Sequence, residues 1–156
     1  CDAITISPYM GRDSIDPFIS YKDKGIFILA LTSNKSAVEI QDDKNDSCPL
    51  YERVIQIASE LNLNDNIGLV VGATNMQLMS KIRQLSKNLP WLVPGIGAQG
   101  GDLEKSVSIS NYNGIGIINV SRGILYAGNG SMKDIIESAK RYTKQIRGIT
   151  CNHMNY

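Results

Sequence analysis

The stretch Trp91-Leu92-Val93-Pro94-Gly95-Ile96-Gly97-Ala98-Gln99-Gly100-Gly101 decides how this chain is read. Three apolar residues of strand type run into a proline, which cannot donate to a β-ladder and so ends the strand. Four glycines then fall within residues 94–101, too many for a packed helix or strand. They suit a loop whose backbone N–H groups come close to a ligand, because glycine has no Cβ to obstruct the approach and reaches positive φ at little cost. Gln99 stands inside that loop with both an amide donor and an acceptor. A second anion-binding turn, Ser121-Arg122-Gly123, follows the apolar run Ile115 to Val120. Two such endings, each after a strand-like segment, point to a phosphate site on one rim of a parallel sheet.

Outward from this loop, five short apolar, β-branched runs can be marked: Ala3 to Ser7, Gly25 to Leu31, Ile67 to Gly72, Trp91 to Val93 and Gly114 to Val120. Runs such as IFILAL and GLVVGA are continuous rather than alternating, which predicts strands covered on both faces, as in parallel sheets. Between them lie helical patterns. Leu50, Val54, Ile57, Ala58 and Leu61 follow Pro49 with the spacing of an amphipathic helix, and Met76 to Leu85 and Met132 to Ile146 repeat it. The alternation predicts a parallel α/β fold. The segment Glu39 to Ser47 carries charge without periodicity and reads as a solvated loop, placed to act as a lid beyond Thr32-Ser33.

If all five strands are parallel, their carboxyl ends share the rim where ligands of such folds bind. The first residues after each strand hold hydroxyls, amides, glycines and Arg122, with no carboxylate among them. This composition suits binding of a neutral polar ring plus an anion, and lacks the titratable group that proton transfer needs. His153, the single histidine, lies in the polar stretch ITCNHMNY and reads as a surface residue. Arg122 has a planar fork that can hold a phosphate by two parallel hydrogen bonds; its competing use is an ion pair with a neighbouring helix. Gln99 could equally serve backbone groups of its own loop, although the glycines around it favour a ligand.

The chain has 156 residues, enough for one domain with a sizeable core, and 16 Lys+Arg against 15 Asp+Glu give a formal net charge of +1. No overall field would recruit nucleic acid or an anionic membrane. Cys1, Cys48 and Cys151 are widely spaced without metal-ligand pattern, so reduced thiols, no metal and a cytoplasmic setting are expected. No signal peptide, transit peptide or membrane-length apolar run is seen. A strand-like run opens within two residues of Cys1, and this beginning reads as a cut through a larger fold.

The strings DAITISPYMGRDSIDPF, GIFILALTSNKSA, IGLVVGAT, LVPGIGAQGG and INVSRGILYA, between Asp2 and Ala127, resemble in content and order those of the orotidine 5′-phosphate decarboxylase family. The resemblance implies an α/β fold, a (β/α)8 TIM barrel of which this chain supplies the C-terminal five β-α units, strands four to eight, as part of a single domain. It implies conversion of orotidine monophosphate to uridine monophosphate and carbon dioxide in pyrimidine synthesis, without metal or organic cofactor, in a homodimer. Residue by residue, it implies that Gln99 and Arg122 grip the phosphate beside the backbone of Ser121. Ser33, with Thr32 beside it, would meet the pyrimidine base, while Pro94 forms part of the pocket wall and Ile96 closes its apolar side.

This family's Lys…Asp-x-Lys-x-x-Asp array lies on strands two and three, so no catalytic residue is expected in this chain, which would need the N-terminal half of the barrel as its partner. Asp42-Asp43-Lys44-Asn45-Asp46 imitates that array with the wrong spacing, since position 47 is Ser, and reads as a solvated loop. Two other readings stay open. One is a self-contained parallel sheet that binds a phosphorylated metabolite without transforming it; the other is a different phosphate-binding barrel enzyme acting on a sugar phosphate.

Overall fold

A computed structural model describes residues 1–42 and 47–153. Five strands form one sheet in sequence order: β1 (Ala3–Ile6), β2 (Gly25–Leu31), β3 (Ile67–Val71), β4 (Trp91–Val93) and β5 (Gly116–Ile118). Every neighbouring pair is parallel, so the five carboxyl ends do share one rim. The strands fall where the apolar runs predict them, with β5 shorter than its run.

Between and after the strands lie α1 (Asp16–Ile19), α2 (Leu50–Leu61), α3 (Met76–Ser86), α4 (Leu103–Ser110), α5 (Arg122–Leu125) and α6 (Met132–His153). Asn75 caps α3 by accepting a hydrogen bond from the Leu78 N–H, and Asp102 caps α4 by accepting from that of Lys105. Ser131 and Asp134 close a reciprocal box at the start of α6. This last helix runs through His153 rather than stopping near Ile146. In its final turns the Thr150 hydroxyl donates to the Ile146 and Arg147 carbonyls, so a polar side chain that reads as tail satisfies the helix backbone.

Register separates the two faces of the sheet. Ile26, Ile28, Ile67, Leu69, Trp91 and Val93 share the face that packs against Val54, Ile55, Ala58, Met79 and Ile82 of α2 and α3, and together they form the core. Fully burying one such side chain contributes about 1.5–3 kcal/mol, so this layer holds the sheet to its helices. The opposite face carries Thr5, Phe27, Val70, Leu92 and Ile117 in register. Phe27 lays its ring over Gly68, and Ile117 is exposed. Between Leu29 and Leu31, β2 holds one residue more than β3, a bulge at Ala30 just before the strand reaches the rim.

Residues 35–39 form a 3₁₀ turn in which Ala37 is buried, so the stretch expected to lack pattern, Glu39 to Ser47, starts on the last residue of that turn. Residues 43–46, and with them most of the Asp42–Asp46 charge cluster and the middle of the expected lid at residues 39–47, lie outside the described residues. Cys1, Cys48 and Cys151 form no disulfide, and the described residues contain no group of three metal-ligating side chains. No described helix is long and apolar enough to cross a membrane.

Candidate functional site

The glycine loop is held by its own backbone. The Gly101 N–H donates to the Gly95 carbonyl at 3.0 Å, the Gly100 N–H to that of Gly97 at 2.9 Å, and Ile96 bridges to Gly101. Pro94 uses its carbonyl to accept from the Ala73 N–H at 2.8 Å, which ties the end of β4 to the end of β3. Gly95 must be glycine on two counts: its φ is 102°, and a Cβ there would lie 2.9 Å from the Ser33 Cβ. That close approach brings the β2 ending under the loop.

Here Ser33 and Gln99 meet. The Ser33 hydroxyl donates to Gln99 Oε1 at 3.2 Å, across 66 residues of sequence, so the glutamine reaches out of its loop instead of serving it. Both line a cleft of about 340 Å³ at the rim, with Thr32, Lys35 and Thr74. Lys35 gives this cleft a cation. Thr32 is engaged locally: its N–H donates to Gln41 Oε1 at 2.8 Å and its hydroxyl to Asn34 Oδ1 at 2.5 Å. Ile96, buried, belongs to the hydrophobic core under the loop, where it forms floor rather than rim.

Arg122 opens α5 directly after Ser121, beyond the end of β5. Its side chain is exposed and makes no ion pair among the described residues, so the competing structural use is not realised there. Ser121 directs its hydroxyl to Asn119 Oδ1 at 3.1 Å, and its carbonyl, at the start of α5, accepts from the Ile124 and Leu125 N–H groups. The two arms come near each other at their glycines: a Cβ built on Gly97 would lie 3.8 Å from Gly123 Cα. Thus Thr32 and Ser33 at the end of β2 and Pro94 and Gln99 at the end of β4 come together across the end of β3, and Ser121-Arg122 stands at the end of β5.

Displaced titrations occur elsewhere in the molecule. Burial pushes the Arg83 guanidinium down to about 10, at the floor of the sheet. The Lys81 ammonium, bonded at 2.6 Å, holds the Glu52 carboxyl below its ordinary range, and Glu52 in turn holds Lys81 up. Arg12 likewise lowers Glu60, and Ser131 lowers Asp134. Burial raises Tyr51. None of these groups lines the rim cleft.

Residues that sequence reading did not single out are Gln41, Lys35 and Thr74. Thr74, whose hydroxyl donates to the Ser33 carbonyl at 3.4 Å, and Lys35 both follow strand ends and carry that positional signal. Gln41 has no such signal, because its contact with Thr32 arises from the path of the 35–41 turn.

Comparison with known proteins agrees with this geometry. The model of the "Orotidine 5'-phosphate decarboxylase / HUMPS family" matches residues 1–146. An orotidine 5′-phosphate decarboxylase of Dehalococcoides mccartyi (strain BAV1) is 48% identical over 153 residues, covering 94% of this chain and 56% of that protein. The solved OMP decarboxylase of Leishmania donovani superposes with a TM-score of 0.83 at 39% identity, over 96% of this chain and 57% of that one. A Leishmania donovani UMP synthase superposes with a TM-score of 0.84 at 41% identity, over 96% of this chain and 33% of the other. The chain spans about half the length of the curated relatives it matches, and its sheet corresponds to part of their TIM barrel. With a family model matched over nearly its whole length and a parallel rim built as described, this chain belongs to the orotidine 5′-phosphate decarboxylase / HUMPS family.

Proposed function

We propose that this chain is the C-terminal part of a single barrel domain that decarboxylates orotidine monophosphate to uridine monophosphate. The observation that carries this reading is the meeting of Ser33 and Gln99 at 3.2 Å in a cleft whose neighbouring strand end presents Arg122. Gln99 and Arg122 hold the phosphate, with the Ser121 backbone alongside. Ser33 meets the pyrimidine, Thr32 is fixed beside it by Gln41, Pro94 forms wall and Ile96 supports the floor.

The chemistry itself is assigned to the preceding part of the barrel. As carbon dioxide leaves, the carbon–carboxylate bond breaks and its electron pair stays on the ring carbon. A lysine of the upstream Lys/Asp array then gives that carbon a proton, while its aspartates orient the lysine and oppose the departing carboxylate. The residues of this chain act at a distance from the reacting carbon: their hold on the phosphate supplies binding energy that positions the ring and favours the transition state. The reaction in this form needs no metal or organic cofactor. Two barrels are proposed to pair, with the last aspartate of the array reaching across, in the cytoplasm.

Titration of the completed protein with uridine monophosphate and with a sugar phosphate tests this reading. Preference for the nucleotide together with decarboxylation supports it; preference for the sugar phosphate moves the protein to another barrel reaction. The 156-residue chain alone is expected to show no turnover, because β1 and β5 each pair on one side only among the described residues. Turnover by that chain alone would overturn the assignment of the catalytic groups.

A further inference from the structure

The two arms of the proposed grip come from different loops. No backbone hydrogen bond among the described residues joins 95–101 to 121–127. Something else must set their spacing, and α6 carries it. Tyr142 lies partly buried against the core, and its hydroxyl stands 3.0 Å from where a Cβ on Gly97 would sit and 2.8 Å from the corresponding point on Gly123. One helical turn earlier, on the same face, the buried Ser138 donates its hydroxyl to the Gly123 carbonyl at 2.8 Å. Arg141 donates to that Ser138 oxygen at 3.1 Å and lies 5.4 Å from the Tyr142 ring centroid.

We infer that Tyr142 is a positioning residue for phosphate recognition: its hydroxyl is a spacer wedged between the glycine loop and the Ser121-Arg122-Gly123 turn, while Ser138 pins that turn from behind. The inference rests on the phosphate reading of Gln99 and Arg122. It explains why both arms have glycine at the seam. Gly97 also has φ of 79°, which favours glycine in any case, but Gly123 has no positive φ. At 123 the demand for glycine is spatial, and the Tyr142 hydroxyl is the nearest obstacle; Val120 Cγ1 follows at 3.2 Å and the Tyr142 Cζ at 3.4 Å.

The test measures uridine monophosphate and uridine affinities in the completed protein for Tyr142→Phe, Gly123→Ala and the double variant. Tyr142→Phe removes the spacer and is expected to weaken the nucleotide about threefold to tenfold. Gly123→Ala forces the arms apart and is expected to cost about tenfold to thirtyfold, the upper scale for a change transmitted through packing. In the double variant the atom 2.8 Å from the new methyl is gone and the ring carbon that bore it stands at 3.4 Å, so most of that loss is regained. Uridine, which has no phosphate, binds all four proteins alike.

Independent, multiplying effects of the two substitutions would overturn the inference, as would an equal loss of uridine affinity, which marks general damage to the fold. A Tyr142→Phe protein with unchanged nucleotide affinity would also overturn it, while leaving the phosphate reading in place. A wild-type protein that binds uridine as well as its phosphate would end the phosphate reading, and the inference with it.

Discussion

Two arginines stand at opposite ends of the same sheet and are treated in opposite ways. Arg83, on the last turns of α3, is buried at the amino ends of β4 and β5. Its guanidinium stacks 3.9 Å from the Trp91 ring centroid and donates to the Leu89 carbonyl at 2.8 and 3.2 Å, while its Nε has no hydrogen-bond partner among the described residues. Arg122, at the carboxyl rim, is exposed and makes no ion pair among the described residues. The buried cation is committed to the protein: an indole face and a carbonyl take the place of an anion, and nothing has room to approach. The exposed one keeps its fork open to solvent, as the proposed phosphate grip requires. Charge alone does not identify a site; the surroundings of the charge do.

Substitutions can separate the two ends. Arg122→Ala should weaken phosphate binding and kcat/KM in the completed protein by about 2–5 kcal/mol, the scale for truncating one partner of a hydrogen-bonded charge pair that the bound phosphate would bury. Its thermal midpoint should stay put, so that kinetics and melting together show a ligand residue. Arg83→Ala should do the reverse and lower folding stability by about 2–4 kcal/mol in chemical denaturation, through lost packing and a vacated site. Arg83→Met keeps much of the volume and removes the desolvated charge, so it should recover most of that stability. If Arg83→Ala impaired nucleotide affinity as severely as Arg122→Ala, the division between floor and rim would fail.

Gly72 tests the rim itself. A Cβ there would lie 2.6 Å from the Ser33 backbone N, so Gly72→Ala must push the ends of β2 and β3 apart. A cost of about 1–3 kcal/mol in stability, with reduced nucleotide affinity, is expected from overpacking. The smallest effect belongs to the outer wall, at Glu52 and Lys81. The folded-state pKa of Glu52 is depressed, so the stability it contributes is present above its unfolded value, near 4.5, and is lost as pH falls through the lower folded value. Lys81→Met should flatten this acid limb in pH-dependent melting and leave the rim untouched.

Local pattern made the strands and the longer helices legible, although in α2 the 50, 54, 57, 58, 61 spacing marks the right side of the helix and misses Tyr51 and Ile55, which are buried while Leu50, Ile57 and Leu61 are only half-buried. The rim was legible through its glycines: Gly95 and Gly101 stand where the backbone crowds Ser33 and Ala73. What escaped depends on partners distant in sequence. Gln41 reaches Thr32 only because a 3₁₀ turn returns it, and Tyr142 reads as one more core residue of an amphipathic helix until its hydroxyl is seen between two glycines. Arg83 looks like an ordinary solvated helix cation, since no sequence spacing announces that Trp91 will cover it.

The extra residue at Ala30 gives β2 a change of phase. Below it, the alternation of side chains answers to the helices; beyond Leu31, which is still core, Thr32 and Ser33 turn to polar partners at the cleft, Gln41 and Gln99. A single strand thereby serves two masters without compromise, and the upper half can be retuned for a new guest while the lower half keeps the packing it already has.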